Sequence, residues 1–284
     1  MNYKLDLPTL RKLQLQEVKC LKELKRICEE NDIKYFLIGG TLIGAARHKG
    51  FIPWDDDIDV GMLRSEYDKF CKICPEKINK ELFYFQIPEL EKGNADFEIA
   101  RIRLNGTHFV QRHRTKLKNS HDGCFIEILP YDDLPPTEFK CKVYHKYFRI
   151  MKRVVGCRMD YGYHINNPVK RFVFYSGVFL SRIIPLKLLY NQMVNYHLKY
   201  FNTNSEKVFL LAGAYNWRRE SHLRSTVSEF TTLEFEGESY NVPKDYDLFL
   251  REQYGDYMTP PPKEEQVNKC FVESIDFGPY SNEG

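Results

Sequence analysis

The sequence lacks any uninterrupted run of about 18 apolar residues, so no segment of it reads as a membrane span. Its first residues, Met1 to Pro8, are polar and mixed in charge, without the apolar stretch of a signal peptide. It also lacks a strong charge of either sign. The formal net charge of +3 excludes a general nucleic-acid binder with a broad basic field. Cysteine is present but not organised. Of the eight, only Cys71 and Cys74 stand at C-x-x-C spacing, and no second pair completes a zinc site. In their helical setting the two read as half-buried thiols. A chain without disulfide pattern, leader or span is expected in the reducing cytoplasm. Internal repeats and low-complexity segments are absent as well.

What is present is an ordinary globular composition, 43% hydrophobic and 29% charged, over 284 residues. Aromatics make up 14%, enough to bury a large core without staples. Leu10, Leu13, Val18, Leu21, Leu24 and Cys28 share one helical face, with Thr9 after Pro8 as the expected cap and Asn31-Asp32 as the close. A short strand over Ile33 to Ile38 breaks at Gly39-Gly40, and Thr41 opens a small-residue helix. Asp57 to Met62 alternates acid and apolar residues as a half-buried strand does, and Ser65 can cap the helix that follows. Further strands are expected over Phe83 to Phe85, Phe97 to Leu104, His108 to Gln111 and Cys124 to Leu129. Asn105-Gly106 supplies a turn between two of them. From Glu138 to about Phe201 the texture is helical, broken near Pro168 and Pro185. A hairpin around Glu236-Gly237 and a helix from Asp245 to Tyr254, stopped by Gly255, close the chain. The pattern predicts an α/β (α+β) fold: a core over 1–135, a mainly helical lobe over 136–230, and a C-terminal cap over 231–284.

Asp57 and Asp59 are two apart on a predicted strand, so their carboxylates share a face while Ile58 and Val60 point inward. Adjacent carboxylates repel, and a cation relieves the repulsion. Oxygen ligands of this kind favour Mg²⁺ or Mn²⁺. A bare D-x-D is usually only a solvated strand end. Three features argue otherwise here. Asp55, Asp56 and Asp57 follow the apolar lead Pro53-Trp54. Gly39-Gly40-Thr41 sits at a strand-to-helix turn, where exposed amides suit a phosphate. Glu127 lies inside the apolar run Ile126-Glu127-Ile128, where an acid needs a partner. A phosphate cradle, a carboxylate pair and a third carboxylate are the parts of metal-assisted phosphoryl transfer.

The segment GGTLIGAARHKGFIPWDDDIDVGM, Gly39 to Met62, closely resembles the signature of the LicD family, phosphocholine-transferase-like proteins that include fukutin and its relatives. FIEILPYDDLP, Phe125 to Pro135, resembles the family's later acidic strand, which more often carries Asp where this chain has Glu127. YGDYMTPPP, Tyr254 to Pro262, resembles its C-terminal block. The resemblance implies a nucleotidyltransferase-like mixed sheet flanked by helices. It also implies transfer of a phospho-alcohol from a CDP-linked donor, CDP-choline first, to a sugar hydroxyl of a cell-surface glycan, with release of CMP. In that scheme Asp57, Asp59 and Glu127 hold Mg²⁺ or Mn²⁺, and Glu127 accepts the acceptor's proton. Gly39, Gly40 and Thr41 meet the donor phosphates, and Arg47, His48 and Lys49 add charge. Arg101 and Arg103, alternating on one strand, either reach phosphate or form a solvated face. Tyr254, Asp256 and Tyr257 either enclose the head group or pack on the core. Trp54 reads as a packing anchor before a platform for the cytosine. Two other functions share these parts: a nucleotidyltransferase releasing pyrophosphate, and a catalytically silent glycan- or phosphocholine-binding protein. Family acceptors are often lipid-linked. The apolar, cation-dotted stretch Lys170 to Tyr190 therefore poses a choice between a surface at the inner face of the membrane and a buried helical pair. No clean polar face emerges from its pattern, so the buried pair is expected.

Overall fold

The computed structural model describes residues 4–87, 99–111, 121–158, 167–201, 203–268, 270 and 272–282. Helix α1 (Leu7–Glu30) buries the predicted apolar face and ends at Asn31. Its cap is Asp6, whose carboxylate accepts the Thr9 amide at 2.7 Å, so Thr9 is capped and does not cap. Strand β1 (Phe36–Leu37), helix α2 (Gly39–His48), strand β2 (Asp59–Leu63) and helix α3 (Arg64–Lys77) follow. Ser65 does not cap α3: Leu63 stands at the cap position and makes no side-chain cap bond. Cys71 and Cys74 lie on α3, free and at least partly buried, as thiols in a helix should be.

Strands β3 (Phe83–Gln86), β4 (Ala100–Leu104), β5 (His108–Gln111) and β6 (Phe125–Asp133) make up the middle of the chain. Phe97 and Glu98, the start of the expected β4, lie outside the described residues. Asn105-Gly106 does turn, with Gly106 at φ +77°, but it sends β4 and β5 to different sheets. Helices α4 (Glu138–Arg158), α5 (Pro168–Leu180) and α6 (Leu186–Leu198) form the lobe, with 159–166 outside the described residues. Strands β7 (Lys207–Leu210) and β8 (Ser221–Leu223), the hairpin β9 (Phe230–Phe235) and β10 (Glu238–Pro243), helix α7 (Tyr246–Tyr254) and β11 (Val272–Asp276) complete the chain.

The main sheet runs β1-β2-β6-β4-β3, with β7 on the far half of β6 and β8 beside β7. Only β2 and β6 are parallel within it; the other pairs are antiparallel. The observed class is mixed α+β, as predicted. Two expectations fail. Residues 207–223, assigned from sequence to the helical lobe, carry β7, which pairs with β6, and β8, which pairs with β7, so they extend the sheet. Lys-Val-Phe-Leu is too short an apolar run to announce a strand by itself. The predicted buried helical pair also fails, because Val178 is the one buried residue of α5. Helices α4 and α6 close a small core of their own with Phe209 and Leu211 beyond β6, and α5 is left at its edge.

The lobe meets the sheet at a buried ionic cluster, which it joins through His197. Arg64 on α3 grips Asp132 on β6 through Nε at 2.7 Å and a terminal nitrogen at 2.8 Å. His197 of α6 stands 3.3 Å from the same carboxylate, and its other ring nitrogen meets the Tyr144 hydroxyl on α4. Burial alone would raise Asp132, but Arg64 and His197 overcome it and hold the carboxyl well below the usual range.

Candidate active site

The parallel ladder of β2 and β6 sets Asp59 directly beside Glu127, and the next strand sets Arg101 beside Glu127. In-register neighbours point to the same face of a sheet, so Asp59, Glu127 and Arg101 form a row across three strands. Their chain neighbours Ile58, Val60, Ile126 and Ile128 point the other way and are fully buried. The alternation read from sequence thus has the geometric result expected of it. Arg101 donates to Glu127 Oε1 from Nε at 2.9 Å and from a terminal nitrogen at 2.7 Å.

Helix α2 begins beside this row. Ile38 at its cap position makes no side-chain cap bond. Gly39 adopts φ +59°, where a side chain is strained, and a Cβ there would lie 3.1 Å from Asp59 Oδ2. A Cβ on Gly40 would overlap Asp55 Oδ2. The glycines thus let two carboxylates come up against the helix N-terminus. Thr41 is buried, and its hydroxyl accepts the Asp59 amide at 2.9 Å, so it positions the Asp59 backbone.

Gly39, Gly40, Asp57, Asp59 and Glu127 line a pocket of about 320 Å³. Tyr131, Tyr215, Glu220, Gln253 and Tyr254 also line it. Crowding of acids has a clear electrostatic signature. Enclosure by the surrounding protein, then repulsion by Asp59, Asp55, Asp56 and Glu127, raises Asp57 well above the usual carboxylate range, although the residue itself is exposed at the pocket. Asp59 is raised for the same reasons, burial first and Glu127 next, with Arg101 opposing. Glu17, buried on α1, is raised by burial and by Asp57, and one of its carboxylate oxygens has no hydrogen-bond partner.

Glu220 was not legible in sequence. It sits in the polar run Trp-Arg-Arg-Glu-Ser, which reads as loop, yet it is 2% exposed. It accepts the Tyr215 amide at 2.7 Å and the Gln253 side-chain amide at 2.8 Å, and burial raises its carboxyl. The nearest signal was its place between two tyrosine-bearing segments, and that is no signal without a fold.

Several candidates from sequence are not brought to the pocket. Arg47, His48 and Lys49 lie at the far end of α2, roughly 15 Å along a ten-residue helix from the glycine turn. Arg47 donates to the Tyr257 carbonyl at 2.6 Å, and Lys49 faces Glu234 at 3.6 Å. Arg103 shares the face of Arg101 one step further along and is spent on Gln86 at 2.7 Å and the Gly123 carbonyl at 2.9 Å. Both arginines are buried, which excludes the solvated strand face. Asp256 closes its own turn by accepting from Thr259. Tyr257 donates to Asp247 at 2.8 Å. Tyr254 does line the pocket, and Trp54 packs on the core.

Among the described residues no three acid, histidine or cysteine side chains are already closed into a metal cage. The donor set fits a cation that uses one or two carboxylates and completes its shell with water and substrate phosphate. Mg²⁺ commonly binds in this way.

Residues 32–155 match the family model described as LicD/FKTN/FKRP, nucleotidyltransferase domain. That span holds the glycine turn, Asp57, Asp59, Arg101 and Glu127. The chain is 31% identical over 262 residues to the lipopolysaccharide cholinephosphotransferase LicD of Haemophilus influenzae, covering 91% of this chain and 94% of that one. It is also 43% identical over 49 residues to the ribitol 5-phosphate transferase FKRP of human and of mouse, covering 16% of this chain and 10% of each of those. With likeness running over nearly the whole of a relative, and the signature acids meeting in one pocket, this chain belongs to the LicD family.

Proposed function

We propose that the protein moves phosphocholine from CDP-choline to a sugar hydroxyl of a cell-surface glycan and releases CMP. The observation that carries this reading is the in-register pair Asp59 and Glu127 on parallel strands, with Asp57 and the glycine N-terminus of α2 lining the same pocket. That arrangement suits a diphosphate: backbone amides for its oxygens, carboxylates for the cation that travels with it. Asp57 and Asp59 would hold Mg²⁺ or Mn²⁺, which supplies charge to neutralise the phosphate oxygens. The acceptor oxygen bonds to the phosphorus that bears the alcohol, the bond from that phosphorus to the bridging oxygen breaks, and CMP leaves with the electron pair. The acceptor's proton passes to a pocket carboxylate. Glu127, oriented by Arg101, is the residue assigned to this step.

The choice of phosphocholine rests on two supports. The relative of greatest coverage is a cholinephosphotransferase by name. The pocket lining also holds Tyr131, Tyr254 and Glu220, with Tyr215 covered on one face by Arg219 at 3.7 Å, and aromatic rings with a carboxylate suit a quaternary ammonium. Ribitol 5-phosphate, named for the shorter match, is the second donor to try.

The test is a donor panel of CDP-choline, CDP-ribitol and CDP-glycerol, followed by product analysis with and without acceptor. Metal-dependent CMP release that EDTA abolishes and Mg²⁺ restores is expected. Pyrophosphate in place of CMP would make the protein a nucleotidyltransferase. Donor binding without any turnover would make it a binding protein.

A further inference from the structure

Among the described residues eighteen large apolar side chains stand exposed, and twelve of them lie between Phe139 and Leu198. They are concentrated on α5 and the short turn after it: Phe172 is 75% exposed, Phe179 67% and Ile183 85%. At 3.6 residues per turn, Val169, Phe172, Val173, Tyr175, Phe179 and Leu180 fall within an arc of roughly 160° on α5. Lys170 and Arg171 stand at its two edges. The opposite side of the helix, with half-buried Phe174 and buried Val178, is the side turned inward.

Charge is divided just as unevenly. Between Glu138 and Glu206 the chain has twelve Lys and Arg against a single acid, Asp160. That stretch is therefore +11 where the whole chain is +3, which leaves −8 for everything else. On α4, next to α5, Lys142, Lys146, Arg149 and Arg153 are exposed.

We infer that the face of α5 and its following turn is a docking surface for a bilayer that carries anionic lipid. An apolar arc edged by cations is what a helix lying in the headgroup region presents. A second copy of this chain would suit the apolar residues but would bring two strongly basic lobes together. An anionic surface attracts the lobe and repels the acidic remainder, so it also orients the molecule. The geometry keeps the contact shallow. α5 with its turn, Pro168–Ile183, spans roughly 24 Å at 1.5 Å per residue, less than the ~30 Å hydrocarbon core. No single described helix is long and apolar enough to cross; the bent pair with α6, which departs at 107°, has the length and composition, but α6 buries Leu189, Tyr190, Met193 and His197 against the protein. The buried grip of Arg64 and His197 on Asp132 ties this lobe to the catalytic sheet, so docking would hold the pocket beside acceptors confined to the membrane. The docking itself does not depend on which group the pocket transfers.

Flotation of the purified full chain with unilamellar vesicles tests this directly. The protein should float with phosphatidylglycerol–phosphatidylcholine vesicles, stay in solution with phosphatidylcholine alone, and be released by high salt. Phe172→Asp with Phe179→Asp should lower partition about tenfold or more, and Lys170→Glu with Arg171→Glu should do likewise, both with unchanged thermal melts. Failure of the unmutated chain to float with anionic vesicles would overturn the inference. So would unchanged flotation of both variants, or resistance to alkaline carbonate, which marks an embedded hairpin. Sedimentation as a dimer that the aspartates dissociate while flotation persists would give the surface to a second copy instead.

Discussion

The pocket and the helical lobe break the ordinary burial rule in opposite directions. The pocket side buries charge: Arg101 is fully buried, and Glu17 and Glu220 are nearly so. The lobe leaves Phe172, Phe179 and Ile183 in water. Buried charge is costly unless paired, and large exposed apolar surface is rare on a molecule that acts alone. The chemistry of each departure indicates the kind of ligand it suits. Crowded carboxylates ask for a cation and the phosphates it carries. An apolar arc edged by Lys and Arg asks for an anionic lipid surface. If the two regions are independent in this way, damage to one should leave the other's binding intact.

The largest effect should come from the acids. Asp59→Asn and Asp57→Asn remove charge with little change of volume, so each should cut CMP release by about a thousandfold, several kcal/mol of transition-state stabilisation. The same variants should melt no lower than the parent in the absence of metal, because each relieves repulsion that raises its neighbour. They should also float with anionic vesicles as the parent does. Near-normal turnover in either variant would remove that residue from the site.

A second effect sharpens the comparison through pH. His222 on β8 is buried and stacked on Phe249 with ring centres 3.9 Å apart, and its Nε2 has no partner. Burial pushes the imidazole down to about 4 from an ordinary 6.5. Glu252, at 3.4 Å and half in water, does not offset this. A depressed histidine favours the fold in full above pH 6.5, and the contribution is lost as pH falls from 6.5 towards 4. The loss should be on the order of 3 kcal/mol across that window. Urea unfolding at pH 7 and at pH 4 checks it. His222→Phe, which keeps the ring stack, should flatten the dependence; an unchanged slope in that variant would assign acid lability elsewhere.

How much of this was legible in sequence follows the range of the interactions. The glycine turn and the D-x-D strand were legible because backbone strain at Gly39 and the two-residue period act locally. Glu127 was legible because an acid inside Ile126–Ile128 contradicts its surroundings. Arg101 was found as a residue but not in its role. Its partner is 26 positions away, and only the antiparallel register of β4 with β6 sets the two side by side. Glu220 was invisible because its reason for burial, the Tyr215 amide and Gln253, exists only after β7 and β8 join the sheet. The exposure of α5 was misjudged on a similar ground. Periodicity identifies which residues share a face, not whether a neighbour has already been taken by another helix.

A smaller effect tests the glycine turn. Gly40→Val should weaken metal-dependent CDP-choline binding by at least about tenfold while lowering stability less, because the added side chain meets Asp55 where backbone and carboxylate now touch. Calorimetry with and without Mg²⁺ separates the two. Equal affinity in the variant would mean that the donor diphosphate does not approach the start of α2.

The smallest effect expected concerns which alcohol the pocket prefers. Glu220 is held by the Tyr215 amide and Gln253 in the pocket lining, beside Tyr215 and Tyr254, and there it could read the donor's head group. A quaternary ammonium gains from the nearby tyrosine faces and from a negative wall, whereas a polyol gains only hydrogen bonds. Glu220→Gln removes the charge and keeps the shape and the bond from Tyr215. Preference for CDP-choline over CDP-ribitol, measured as the ratio of kcat/KM, should therefore fall about fivefold, mostly through KM for CDP-choline. Turnover of CDP-ribitol should hardly change. Loss of both activities together would instead make Glu220 a structural acid that fixes the β7–β8 wall, and an unchanged ratio would place the head group outside this end of the pocket.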